Sequence, residues 1–273
     1  MKTIHVTLPG GAQLQGVLRE PTPEMPAYQT RPAVLVVPGG GYSIVCSREA
    51  EPVAAPFLAA GYHVFTLTYT VAPDGAGAPL RYKPLADAAR ALLYLRRHAA
   101  ELWLDPARVA ICGFSAGGHL AASTALIAAD VKDELGLQRS ETVDAARPNA
   151  VILCYPVITG GPFAHAWSID TLAGDDAALH DRFSLENQVT DGPGTPPFFV
   201  WHTVDDELVP VENSLLLAGA LRRAGVPFEM HLFTHGAHGG STCTNEVGSP
   251  SARNRAWMPL AIDWLADVFD YHF

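Results

Sequence analysis

The 273-residue chain is short of several features, and each shortage narrows what it can be. Cysteine occurs four times, at Cys46, Cys112, Cys154 and Cys243, far apart and never as a CxxC pair. Two of the four sit inside apolar, strand-like runs, where cysteine behaves as a small buried hydrophobe, so all four read as reduced thiols of a cytoplasmic protein. Positive charge is also scarce: 18 Lys and Arg stand against 28 Asp and Glu, a formal charge of −10. No stretch supplies the basic face a polyanion requires, and nucleic acid is excluded as a partner. Long hydrophobic runs are missing. Ala54 to Ala60 and His119 to Ala129 are interrupted by Pro56, Gly61, Ser123 and Thr124 and fall short of the ~20 residues that span a bilayer, so no membrane helix is expected. Met1 to Gly11 contains no apolar core of a signal peptide, and export is not expected.

What the chain does have is enough apolar material to bury a core, 48% of its residues, with Gly 24 and Pro 22, below the share that marks low complexity. No internal repeat and no charged or low-complexity linker divides it, and residues 1–273 read as a single domain. Short β-branched runs alternate with longer Ala- and Leu-rich stretches. The runs are Ala33 to Val37, Tyr62 to Tyr69, Val109 to Cys112, Ala150 to Cys154, Phe198 to Trp201 and Phe228 to Phe233. Helices are expected at Glu51 to Ala60, Leu85 to Ala99, Ala116 to Ala128, Val211 to Ala224 and Ala256 to Phe269. In Leu85 to Ala99 the residues Leu85, Ala88, Ala89, Leu92, Leu93 and Leu95 make an apolar stripe, with Asp87 and Arg90 read as a solvated face.

Strand and helix repeated in this way imply an α/β fold: a mostly parallel central sheet covered by helices on both faces. Ile4 to Leu8 and Gln13 to Leu18 flank Pro9-Gly10-Gly11 and read as an antiparallel N-terminal hairpin. Residues 157–197, punctuated by Gly160-Gly161-Pro162, Gly174-Asp175-Asp176 and Gly192-Pro193-Gly194, are too long for a plain connection and read as a small cap or a long functional loop.

Gly113-Phe114-Ser115-Ala116-Gly117 is a GxSxG sequence placed directly after one expected strand and directly before a helix. That context turns a common pentapeptide into a nucleophile elbow, in which a sharp turn exposes the serine hydroxyl beside the unpaired amides of a helix N-terminus. A serine needs a base and a group that orients the base. Phe198 to Trp201 runs into an acidic loop with Asp205 and Asp206, and Phe228 to Phe233 runs into a loop with His235 and His238. In an open parallel sheet the carboxyl ends of strands gather, so serine, acid and histidine can converge. Val37-Pro38-Gly39-Gly40-Gly41-Tyr42, after another strand, reads as an oxyanion loop in which glycines let backbone N–H groups approach a substrate.

These residues resemble the α/β-hydrolase superfamily. Within it they are most similar to the esterase and lipase branch related to hormone-sensitive lipase, in particular the bacterial acetyl-xylan-esterase-like carbohydrate esterases. The match runs through Pro38 to Tyr42, Tyr69 to Pro73, Asp105 to His119, Asp206 to Pro210 and His238-Gly239, in order. Pro38 stands where the lipase branch usually has histidine, which favours the sugar-esterase subgroup. The resemblance implies that Ser115 is the nucleophile, that His238 is general base and acid, and that Ala116 with Gly40 or Gly41 forms the oxyanion hole. Its spacing to the Val-Pro pair favours Asp206 over Asp205 as the acid. It also implies a short acyl ester as substrate, acetyl on a sugar or xylo-oligosaccharide. A feruloyl ester, a formamide of the kynurenine-formamidase kind, or a non-catalytic ligand-binding role are the alternatives.

Tyr42, Phe163 and Trp167 are candidate walls of the acyl or sugar pocket. His119 reads as a packing histidine, His202 as structural rather than a pocket residue, and His235 as a loop neighbour of the catalytic one. His231, His235 and His238 have ligand-like spacing, but a strand end and its loop do not put them on one face, so no metal is expected. No cofactor is expected, and a homodimer is compatible with the sequence.

Overall fold

The computed structural model describes residues 1–75, 77–190 and 194–273; the expected Gly192-Pro193 breaker lies outside the described residues. Among the described residues eight strands form one sheet: β1 (Lys2–Thr7), β2 (Gln13–Leu18), β3 (Arg31–Val37), β4 (His63–Thr68), β5 (Leu104–Phe114), β6 (Ala150–Cys154), β7 (Phe198–Thr203) and β8 (Phe228–Phe233). Their order across the sheet is β1-β2-β4-β3-β5-β6-β7-β8. The first two pair antiparallel, joined through Gly10 and Gly11, and β2 lies antiparallel to β4. From β4 to β8 every pairing is parallel. All seven residues of β3 and all five of β6 are buried, because parallel strands with helices on both faces need apolar side chains on both.

Among the described residues there are seven α-helices: α1 (Glu51–Ala59), α2 (Lys83–Arg97), α3 (Ala116–Leu126), α4 (Ala166–Ala173), α5 (Ala177–Arg182), α6 (Glu212–Arg223) and α7 (Trp257–Phe269). Leu92 of α2, Leu120 of α3 and Leu217 of α6 pack into the core on one face. Phe57 of α1 with Trp257 and Leu265 of α7 fill the other. Among the described residues no helix is long and apolar enough to cross a membrane.

One expectation changes in detail. Asp87 is not on a solvated face: it is 2% exposed, and its Oδ2 accepts from the Thr70 N–H at 2.9 Å and the Thr70 hydroxyl at 2.6 Å. A helix position beside the apolar stripe is buried when a loop end needs an acceptor there. Asp105 and Pro106 lie within β5. Leu104 faces Arg31 while Val109 faces Ala33, so the residues between bulge out of the ladder.

The chain leaves β3 toward β4 on one side and returns through α2 to β5 on the other. The loops after β3 and β5 therefore emerge side by side at the carboxyl edge of the sheet, the place where such folds assemble sites.

Candidate active site

β5 ends at Phe114 and α3 begins at Ala116, leaving Ser115 alone to make the turn. Its backbone sits at φ 53°, ψ −120°, a conformation side-chain-bearing residues rarely adopt and one that persists only where surrounding contacts impose it. Here they do. Ser115 N–H donates to the Cys154 carbonyl at 3.0 Å, and its carbonyl accepts from His119 and Val157 N–H groups at 3.0 and 3.1 Å. The turn also needs Gly117, whose absent Cβ would stand 2.2 Å from the Val37 carbonyl oxygen and 2.3 Å from that of Pro38.

The loops after β7 and β8 bring two further groups to this serine. His238 Nε2 accepts from the Ser115 hydroxyl at 2.8 Å, and its Nδ1–H donates to Asp206 Oδ2 at 2.7 Å. Asp206 is itself held on four sides. Oδ1 accepts from the N–H groups of Leu208 and Val209 at 3.0 and 2.9 Å, and Oδ2 accepts a second bond from His202 Nε2 at 3.2 Å. His202 is fully buried. Its Nε2 also faces the Val209 carbonyl at 3.0 Å, so that nitrogen carries the proton, and Nδ1 accepts from the Ser214 hydroxyl at 2.7 Å. Burial by itself would raise the Asp206 carboxyl, but the bonds from His202 and His238 hold it below the ordinary carboxylate range. Asp205 turns away to the exposed His235, at 2.9 Å, and to the Gly236 N–H. His231 pairs with Glu229. The three histidines of the β8 end thus have three separate sets of partners.

On the other side of Ser115 lies the Gly39 to Gly41 loop. Gly40, at φ 130°, passes so close to the Ile44 carbonyl that a Cβ would stand 2.2 Å from its oxygen. Among the described residues the N–H groups of Gly40 and Gly41 donate to no protein acceptor, and the Ala116 N–H, at the first position of α3, has no intrahelical acceptor. Tyr42, a candidate pocket wall, is 1% exposed. Its hydroxyl donates to His119 Nδ1 at 2.8 Å, and His119 Nε2–H donates to the Phe183 carbonyl at 2.9 Å. Burial lowers the His119 pKa to about 4 and keeps the ring neutral. The aromatic residue after the glycines is thus consumed in anchoring their loop to the nucleophile helix. Trp167 of α4 is 50% exposed, lies against Gly41 and Gly75, and donates from Nε1 to the Ser43 hydroxyl at 2.8 Å. Phe163 is exposed, with its carbonyl accepting from Asn213. An open concavity of about 480 Å³ beside His238 is lined by Asp205, Glu207, Leu208, Gly236 and Ala237.

Three residues without a sequence signal border this arrangement. Glu49 accepts from the Gly39 N–H, and Tyr155 packs its ring edge-on to His238 with centroids 4.9 Å apart. His165, just before α4, donates or accepts at Ser168 Oγ at 2.8 Å. No spacing rule connects them to Ser115, because each arrives from a different loop.

A serine on a strained elbow at the switch point of a mostly parallel sheet, bonded through histidine to a buried aspartate, defines the α/β-hydrolase class. Residues 22–221 match the BD-FAE family, and the chain belongs to that family. It is 42% identical over 222 residues to endo-1,4-beta-xylanase B of Butyrivibrio fibrisolvens, covering 80% of this chain and 34% of that protein. It is 31% identical over 245 residues to an acetylxylan esterase of Xylanibacter ruminicola, covering 87% of this chain and 45% of that one. The chain therefore spans between a third and a half of these curated relatives. Among solved structures, the acetyl ester-xyloside bifunctional hydrolase of Caldicellulosiruptor lactoaceticus superposes with a TM-score of 0.79 at 35% identity, covering 96% of this chain and 90% of that one.

Proposed function

We propose that the chain is a serine carboxylic-ester hydrolase that removes short acyl groups, acetyl above all, from a sugar or oligosaccharide. The observation that carries the reading is the continuous bond chain from the Ser115 hydroxyl through His238 to Asp206, at 2.8 and 2.7 Å. Ser115 Oγ attacks the acyl carbonyl as His238 Nε2 takes its proton, and Asp206 stabilises the imidazolium that results. The amides of Ala116 and of Gly40 or Gly41 bind the oxyanion, a contribution of about 10²- to 10³-fold in rate for each donor. As the tetrahedral intermediate collapses, His238 gives the proton to the departing sugar oxygen, which leaves as a hydroxyl. It then activates water, which releases the acid and restores Ser115. The relatives named for xylanase and acetylxylan esterase activities support an acetylated xylo-oligosaccharide as substrate. Trp167, packed against Gly41, supports a short acyl group by narrowing the space beyond the loop. One sheet containing all eight strands supports a single domain over 1–273, and four free thiols suit a cytoplasmic setting.

Hydrolysis of p-nitrophenyl acetate, butyrate and decanoate by the wild type and Ser115→Ala tests this reading. Preference for acetate, with activity lost in the variant, is expected. Wild-type rates in Ser115→Ala would overturn the enzyme assignment, and preference for decanoate would overturn the short-acyl one. Acetylated xylo-oligosaccharides compared with feruloyl and formyl substrates then identify the acyl group.

A further inference from the structure

We propose that Glu49 is a positioning residue for this reaction, a second buried carboxylate that sets the oxyanion loop and the His238 loop in register. The proposal rests on the esterase reading and extends it to a residue outside the serine, histidine and aspartate.

Glu49 is 1% exposed, in the turn at Ser47–Glu49 that precedes α1. Its two oxygens have different duties. Oε2 accepts from the Gly39 N–H at 2.7 Å, which fixes the start of the Gly40-Gly41 segment. The position a Gly39 Cβ would occupy is 3.0 Å from Oε2 and 3.0 Å from Ser115 Cβ, so carboxylate and nucleophile flank the same glycine. Oε1 accepts from the Tyr155 hydroxyl at 2.7 Å. The Tyr155 oxygen in turn accepts from the Ser241 N–H at 2.9 Å, three residues beyond His238. Ser241 is tied back by its hydroxyl to the Arg48 carbonyl at 2.6 Å and by its own carbonyl to Trp257 Nε1–H at 2.8 Å. One buried chain of bonds thus joins the oxyanion loop to the histidine loop beneath the site.

The donors decide the charge state. Both groups facing Glu49 donate, and the Tyr155 oxygen is already engaged by Ser241, so the cage is made for an ionised carboxylate. Burial raises the Glu49 carboxyl pKa, while the bonds from Tyr155 and Gly39 and the charges of Arg48 and His238 work against that rise. Other groups near it are Tyr69, Cys46 and Cys154. Around His238 stand Asp206, bonded in turn to His202, and His165 from the segment before α4. The Tyr155 ring and the Arg48 guanidinium, laid over Gly239, complete its surroundings. Asp206 and Glu49 are the buried carboxylates among them.

The test is kinetics on p-nitrophenyl acetate with Glu49→Gln and Glu49→Asp beside the wild type and Ser115→Ala. In Glu49→Gln the amide oxygen stays on Gly39, the NH₂ group faces the occupied Tyr155 oxygen, and the charge is gone. Expected are a kcat about 10- to 100-fold lower and a KM within about 3-fold. In Glu49→Asp the charge remains but the reach is shorter. There kcat falls at nearly constant KM. A residue that only supported folding would lower the melting temperature and leave the kcat of the folded enzyme unchanged. Wild-type kcat in Glu49→Gln overturns the proposal. Should that variant not fold, wild-type kcat in Glu49→Asp overturns it. An active wild type with an inactive Ser115→Ala keeps the esterase reading standing through either failure, whereas an inactive wild type overturns the reading and this extension together.

Discussion

The carboxylate of Asp206 accepts from two histidines and two backbone N–H groups, whereas its neighbour Asp205 meets the exposed His235 and one backbone N–H. Removing the charge at Asp206 leaves buried donors with a poorer acceptor and lets the His238 ring change tautomer. Asp206→Asn is expected to lower kcat/KM by about 10³- to 10⁴-fold. Asp205→Asn loses an exposed ion pair and is expected to cost less than about 10-fold. Equal losses in steady-state assays of the two variants would contradict the assignment. The sequence narrowed the acid to an adjacent pair, and family spacing favoured the second. Nothing in a linear pattern could tell that His202 would donate to it, since that bond depends on how the loop after β7 folds back over its own strand. Tyr42 is ambiguous in sequence for a related reason. An aromatic ring after three glycines is equally suited to a pocket wall or to an anchor, and its hydroxyl reaches His119, 77 residues away, only once α3 lies beside the loop.

Elements were more legible than side chains. The expected helix over Leu85 to Ala99 is α2 at Lys83–Arg97, and the one over Ala116 to Ala128 is α3 at Ala116–Leu126, because apolar periodicity reports which face is buried. The long segment 157–197 gave no such period, and in its described part it forms the short helices α4 and α5. Two predictions belong at this scale. Gly117→Ala drives a methyl into the carbonyls of Val37 and Pro38, where β3, β5 and α3 meet. A loss of at least about 3 kcal/mol in denaturant unfolding is expected, and wild-type stability would contradict the elbow's packing. Trp167→Ala opens the space beside Gly41, and the ratio of butyrate to acetate kcat/KM is expected to rise by roughly 10-fold. An unchanged ratio would remove α4 from the account of acyl specificity.

Over the whole molecule, the two buried cores hold the sheet between them, and the fold contains two histidines that burial keeps neutral. His63 at the start of β4 and His119 in α3 both have pKa values lowered to about 4, against about 6.5 in an unfolded chain. Between those values the unfolded state binds more protons, so their contribution is complete above about pH 6.5 and is lost as pH falls toward 4. Each is expected to cost on the order of 2 kcal/mol between pH 7 and pH 5. Urea unfolding at the two pH values checks this: the wild type weakens on acidification, and His119→Gln, with nothing to protonate there, weakens less. Parallel losses would contradict it. Acylation of Ser115 is the step on which the proposed hydrolysis depends. The most direct measurement is rapid acid quenching of a p-nitrophenyl acetate reaction followed by peptide mass mapping. An acetyl group on the peptide bearing Ser115, absent from Ser115→Ala, is the predicted result; turnover with the acetyl group on any other residue, or undiminished in Ser115→Ala, would contradict it.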